Sequence, residues 1–210
     1  MDASFWRDRW AEGRIGFHEG RPNAYLERHA DRLGSARRVL VPLCGKAVDL
    51  SYLAGRGHQV TGVELVEDAA RAFFTEQGVA PSVRSRDGFV EYAAGSITIL
   101  VGDMFATSRA LLGPVDAVYD RAALIALPAP LRVRYVTHLR SLLSGDTVAL
   151  VITLEYDQVR MEGPPFAVLE PELRALYDGA RVEVLDEGTT TSPRIPADVA
   201  LTERCYLVSC

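Results

Sequence analysis

The sequence predicts a doubly wound α/β sheet, mostly parallel, with one reversed strand near the C-terminus. Three observations point to it. Compact apolar runs alternate with stretches of helical period, the runs end at a glycine or a carboxylate, and after residue 155 the alternation gives way to two strands close in sequence.

Residues 3 to 12 and 22 to 33 read as short helices, the first with Trp6 and Trp10 one turn apart. Arg38 to Leu43 is a short apolar run that suits a buried strand. Residues 46 to 54 place Val48, Leu50, Leu53 and Ala54 at helical spacing, and Gly55 and Gly57 end that helix. Gln59 to Val63 is the second strand, closing on Glu64. A helix from Glu67 to Gln77 turns Ala70, Phe73 and Phe74 inward and stops at Gly78. Residues 88 to 101 read as a hairpin turning at Gly95, and Val115 to Tyr119 as the fourth long strand.

After Pro130, Leu131, Tyr135, Leu139 and Leu142 form the apolar stripe of a helix that Gly145 stops. Thr147 to Leu154 is the most hydrophobic strand and is expected to be central. A Gly-Pro-Pro loop, a helix near 170 to 178 and strands at 181 to 185 and 200 to 208 complete the chain, the last strand antiparallel.

A chain of 210 residues fits one domain with a substantial core. Its 48% hydrophobic and 24% charged content is that of an ordinary globular protein. The net charge of −5, with scattered Lys and Arg, argues against nucleic acid as a partner. The longest apolar run, around Val148 to Leu154, is too short to span a bilayer, and the first residues do not resemble a signal peptide. Cys44, Cys205 and Cys210 have no disulfide or metal spacing, and His18, His29, His58 and His138 form no close pair. A cytoplasmic protein with no metal, and nothing requiring more than a monomer, is the expectation.

Ligands of open α/β sheets bind at the carboxyl ends of the strands, near the point where strand order reverses. The candidate ends are Leu43-Cys44-Gly45-Lys46, Glu64, Gly102-Asp103-Met104 and Asp120-Arg121. The first turn has one glycine, not the G-x-G-x-x-G of a dinucleotide site. Leu40 and Ala47 stand where a P-loop requires Gly and Ser or Thr. S-adenosylmethionine carries no phosphate and tolerates such a turn. Glu64 can accept both hydroxyls of a ribose or cap the following helix, and Asp103 can take an adenine amino group or serve its own tight turn. Cys44 has no nearby His to activate it and reads as a small buried residue, while Lys46 reads as a solvated first-turn residue. Trp10 can anchor its helix on the core or lie against a sulfonium.

Several segments resemble the thiopurine S-methyltransferase family. Trp6-Arg7-Asp8-Arg9-Trp10-Ala11-Glu12-Gly13-Arg14-Ile15-Gly16-Phe17-His18 is similar to the family's N-terminal W-x-x-x-W-x-x-G-x-x-x-F-H pattern. Val41 to Lys46 resembles its first methyltransferase motif, and Gly55 to Glu64 with Phe73 to Gln77 continues the match. Tyr119 to Leu124 and Gly163 to Phe166 extend it through most of the chain, while residues 80 to 96 match loosely and residues 186 to 199 depart from the pattern.

The resemblance implies a Rossmann-like class I methyltransferase domain over 1–210, with residues 1–35 as a helical lid. It implies S-adenosyl-L-methionine as methyl donor, leaving S-adenosyl-L-homocysteine. Trp10, Leu43, Gly45, Glu64, Asp103, Met104 and Arg121 are the implied donor-site residues. Phe17, Arg121 and Arg194 fall on the acceptor side, with Arg121 the residue tied to chemistry through its charge on a thiolate or anionic heterocycle. The acceptor expected is the sulfur of a thiopurine or aromatic thiol, attacked in line. Selenium or tellurium oxyanions and halides are the alternative acceptors. A non-catalytic S-adenosylmethionine sensor and an NAD-dependent oxidoreductase are the alternatives from other classes.

Overall fold

A computed structural model describes residues 3–14, 18–35, 37–191 and 198–209. Among the described residues, nine strands form one sheet: β1 (Arg38–Pro42), β2 (Gln59–Glu64), β3 (Ser82–Arg86), β4 (Phe89–Ala94), β5 (Ile97–Val101), β6 (Ala117–Arg121), β7 (Val148–Glu155), β8 (Arg181–Thr189) and β9 (Thr202–Ser209). Their order is β3-β4-β5-β2-β1-β6-β7-β9-β8. The inner five, β5-β2-β1-β6-β7, are parallel to one another. β9 runs antiparallel to β7, as expected near the C-terminus, and β8 pairs antiparallel with β9. At the other edge the expected hairpin pairs β4 antiparallel with β5, and β3 extends it.

Among the described residues, seven α-helices accompany the sheet: α1 (Ala3–Ala11), α2 (Ala24–His29), α3 (Asp49–Gly55), α4 (Glu67–Glu76), α5 (Arg109–Leu112), α6 (Ala129–Leu142) and α7 (Glu170–Leu176). Successive strand residues alternate between two cores. Leu40, Val118 and Val151 point into one core, with Tyr135, Leu139 and Leu142 of α6 and Leu173 of α7. Val39, Val41, Tyr119 and Ile152 point into the other, with Leu26 of α2, Leu50 and Leu53 of α3 and Phe73 and Phe74 of α4. A strand covered on both faces has no polar side, which is why β1 and β7 read as unbroken apolar runs. Each large side chain so buried contributes about 1.5–3 kcal/mol relative to exposure.

Three expectations change in detail. β3 was not anticipated, because Ser82-Val83-Arg84-Ser85-Arg86 is an edge strand with little burial and no apolar face to betray it. α3 begins at Asp49 rather than 46, since Gly45 to Ala47 closes a tight turn with the Ala47 N–H donating to the Cys44 carbonyl at 3.1 Å. β7 is flanked on both sides, yet β1 is the middle strand of the sheet. The chain leaves β1 towards β2 and β5, then returns to place β6 on the opposite side of β1. This is the point where strand order reverses, and it lies between β1 and β6. Among the described residues, no helix is long and apolar enough to cross a membrane.

Candidate active site

A cleft of about 1210 Å³ opens at the carboxyl ends of β1, β2, β5 and β6, and α1 adds Trp6, Arg7 and Trp10 to its wall. One end of it is built from backbone geometry. Leu43, at φ 48°, and Gly45, at φ 54°, turn the chain sharply out of β1. Leu43 adopts the left-handed region without being glycine, a conformation that costs of order 1–3 kcal/mol and persists only where its surroundings enforce it. Glu64, at the end of β2, supplies part of that enforcement. Its Oε2 accepts the Gly45 N–H and its Oε1 the Val66 N–H, each at 2.8 Å. Burial pushes its carboxyl up from the ordinary range, and the backbone N–H groups of Val66, Gly45 and Leu65 oppose the shift.

The same turn depends on Gly62. A Cβ there would stand 2.6 Å from the Cys44 sulfur, so glycine in β2 makes room for the Cys44 side chain. Cys44 is buried, and desolvation raises its thiol well above the usual value, which leaves it a poor nucleophile. Beyond β5, Asp103 Oδ1 accepts the Phe105 N–H at 2.9 Å and caps a short 3-10 turn, while Asp103, Met104 and Phe105 all line the cleft.

The other end is built from charge. Arg121 ends β6 with its side chain 13% exposed and forms an ion pair with Glu19. Burial works against its charge, but Glu19, Tyr119, Asp49 and Glu203 together hold the guanidinium above its ordinary value. Asp49 Oδ1 accepts the Asn23 N–H at 2.7 Å and Oδ2 the Tyr119 hydroxyl at 3.2 Å. The Asn23 side chain also hydrogen-bonds Glu203 of β9. Asp120, fully buried, does not pair with Arg121. Its Oδ1 accepts the Leu124 N–H at 3.1 Å and its Oδ2 the Tyr135 hydroxyl at 2.7 Å, and burial pushes its carboxyl up to about 6. These two bonds pin the segment in which Ala122 sits at φ 65°, and so fix where Arg121 points.

The cleft brings together Trp10, Leu43, Gly45, Glu64, Asp103, Met104 and Arg121. Phe17 and Arg194 lie outside the described residues. Lys46 is absent from the lining, as expected, but it is paired with Glu76 at 2.5 Å and only 12% exposed rather than solvated. Sequence reasoning missed Glu19, Asn23, Asp49, Tyr135 and Glu203. One signal was available: Asn23 caps α2 through bonds to the Tyr25 and Leu26 N–H groups, which fixes the backbone beside Arg121.

The sequence model of the family described as Thiopurine S-methyltransferase (TPMT) matches residues 1–207. A thiopurine S-methyltransferase of Pseudomonas paraeruginosa is 48% identical over 191 residues, covering 90% of this chain and 88% of that one. The chain belongs to the thiopurine S-methyltransferase family. It is an S-adenosylmethionine-dependent methyltransferase. A thiopurine S-methyltransferase of Pseudomonas putida is 43% identical over 100% of both chains. In fold, the chain is similar to a Burkholderia thailandensis 1,6-didemethyltoxoflavin-N1-methyltransferase solved with S-adenosylhomocysteine. The TM-score is 0.66 at 19% identity, covering 99% of this chain and 86% of that one. A methyltransferase from Anabaena variabilis gives a TM-score of 0.67 at 13% identity, over 99% and 94% of the two chains. The sheet of this chain matches the Rossmann-like fold of these methyltransferase neighbours.

Proposed function

We propose that this chain methylates the sulfur of thiopurines or of other aromatic and heterocyclic thiols by direct displacement. The observation that carries the reading is the cleft, whose volume of about 1210 Å³ runs from Glu64 to Arg121. Pockets for one small ligand span about 300–1,000 Å³, so this one has room for donor and acceptor together.

The residues fit the donor. Glu64 lines the cleft with a carboxylate that backbone N–H groups hold in place, an acceptor of the kind a ribose hydroxyl needs. Gly45 and Leu43 offer a close backbone approach, Asp103 and Met104 the adenine edge, and Trp10 an aromatic face towards the sulfonium. When bound, the donor supplies an electrophilic methyl group on a positively charged sulfur. The chain's own task is to align the acceptor, exclude water and favour the thiolate form of the acceptor with the Arg121 guanidinium before transfer.

Residues 1–35 act as a lid in this reading, within one domain spanning 1–210. Phe17 and Arg194 keep acceptor-side roles, although neither belongs to the described residues. A small-molecule acceptor, a monomer and a cytoplasmic location complete the proposal, and the free thiols of the buried Cys44 and Cys205 suit a reducing compartment. An acceptor screen with labelled donor tests it: aromatic thiols and thiopurines should be methylated. Turnover of selenite, tellurite or halide without any thiol would overturn the proposal.

A further inference from the structure

Methylation of a neutral thiol releases a proton, and the place it goes decides which acceptors the site can use. Four charged groups meet at the acceptor end of the cleft: Arg121, its ion-pair partner Glu19, and the carboxylates of Asp49 and Glu203. Asp49 is closed off, with its oxygens taken by the Asn23 N–H and the Tyr119 hydroxyl, and it does not line the cleft. Glu19 is the most exposed of the three, at 44%. Glu203 differs from both. It lines the cleft from β9, opposite Leu154 of β7, and its side chain is held by Asn23 at the start of α2.

We propose that Glu203 takes the proton of an acceptor that enters as a neutral thiol. The inference rests on the thiol reading above. In the step, the acceptor sulfur forms a bond to the methyl carbon as the carbon–sulfonium bond breaks. Before that bond forms, the S–H proton passes to the Glu203 carboxylate, and the S–H electron pair stays on sulfur as a thiolate. Products are a methyl thioether, the neutral thioether of the spent donor and a protonated Glu203, which later returns its proton to water.

Charge balance favours this route. Glu19, Asp49 and Glu203 all act electrostatically on Arg121. Proton transfer takes the negative charge off Glu203 as the acceptor sulfur gains it, so the charge near Arg121 is moved and not increased. The groups that set Glu203's proton affinity come from every side. Burial raises it, Arg121 at the end of β6 lowers it, Glu19 in the loop before α2 raises it, and the Asn23 bond and Arg28 of α2 lower it. The net result is a carboxyl raised above its ordinary value, closer to the proton affinity a base needs near neutral pH.

The test is Glu203→Gln, which keeps a side chain able to bond Asn23. Calorimetric binding of S-adenosylhomocysteine, unchanged from wild type, serves as the check on folding, and Glu203→Ala, which likewise lacks the base, supplies a second variant if the amide fails it. With benzyl thiol, protonated at neutral pH, kcat/KM should fall about a hundredfold, in line with general-base contributions of 10²–10⁴. With a nitrothiophenol already ionised at that pH, it should not fall. A second readout needs no turnover. In the complex with S-adenosylhomocysteine, an aromatic thiol studied below its own pKa should show the thiolate absorbance band in wild type and lack it in the variant. Equal loss on both thiols, no loss on either, or a thiolate band that survives in Glu203→Gln would each overturn the inference. A wild-type enzyme that methylates selenite or iodide and no thiol would remove the reading beneath it.

Discussion

The two ends of the cleft are assembled by different physics. At the Glu64 end the decisive groups are backbone N–H donors and a tight turn, and they come from residues 43 to 66. At the Arg121 end they are ionisable side chains, and they come from Glu19, Asn23, Asp49, Arg121 and Glu203, which span most of the chain. A local turn can be recognised from a short string of residues. A charge cluster exists only once the sheet has formed, because β9 must lie antiparallel on β7 before Glu203 comes near Arg121.

The largest effect should come from breaking the turn. Glu64→Ala removes two charge-assisted bonds to backbone N–H groups, each worth about 1.5–3 kcal/mol. Stability in urea should fall by about 3 kcal/mol, and donor affinity measured by calorimetry should fall at least tenfold. A folded variant with unchanged donor affinity would show that Glu64 serves the turn alone, and the two ends would then differ less than the geometry argues.

The second prediction concerns the buried carboxylate that steers Arg121. Asp120 has its carboxyl raised to about 6, against an ordinary value of 3.8. The native state then holds this proton more tightly than the unfolded chain does. Between those two values the folded protein binds more protons, so stability falls as pH rises, and the slope vanishes above about pH 6. The full span amounts to about 3 kcal/mol. Asp120→Asn cannot titrate, so relative to wild type it should gain stability by about 1–3 kcal/mol between pH 4 and pH 7 in denaturant titrations. A constant difference across that range would place Asp120 in a more solvated setting than its complete burial implies.

How much was legible follows from the same contrast. The strand ends at Gly45, Glu64, Asp103 and Arg121 could be read because parallel strands are buried on both faces and stand out as apolar runs. Knowing where the runs stop is enough to place these residues on one cleft. The pairing of Asp120 could not be read. Next to Arg121 in sequence it looks like half of a surface pair, yet adjacent strand residues point to opposite faces, so Asp120 meets Tyr135 of α6 while Arg121 turns to the cleft and Glu19. Glu203 was missed for a related reason. Glu203 stands beside Arg204 at the polar start of β9, so the sequence shows two adjacent charges there but not that they face opposite ways.

A third, smaller effect separates charge from geometry at Arg121. Lys keeps the charge and loses the planar fork, so Arg121→Lys should preserve donor binding better than turnover. A drop in kcat/KM of about ten- to a hundredfold with an aromatic thiol corresponds to about 1.4–2.7 kcal/mol of transition-state stabilisation. Wild-type efficiency would leave Arg121 acting only as a positive charge among Glu19, Asp49 and Glu203.

The smallest effect tests whether the aromatic wall reads charge at all. Trp10 lines the cleft from α1, and an aromatic face beside a cation contributes about 0.5–2 kcal/mol. S-adenosylmethionine and S-adenosylhomocysteine differ at that position by one methyl group and one positive charge. A contact made through hydrophobic area alone would weaken both ligands equally when Trp10 is replaced by Leu. A contact made through the ring's electron density would weaken the sulfonium ligand more. Calorimetry on Trp10→Leu with both ligands isolates the difference, since any loss of helix packing affects the two titrations alike. The ratio of the two affinities should shift against S-adenosylmethionine by about two- to thirtyfold, the range that 0.5–2 kcal/mol spans. An unchanged ratio would assign Trp10 to packing, and the donor's charge would then be met by the acceptor-end carboxylates rather than by the lid.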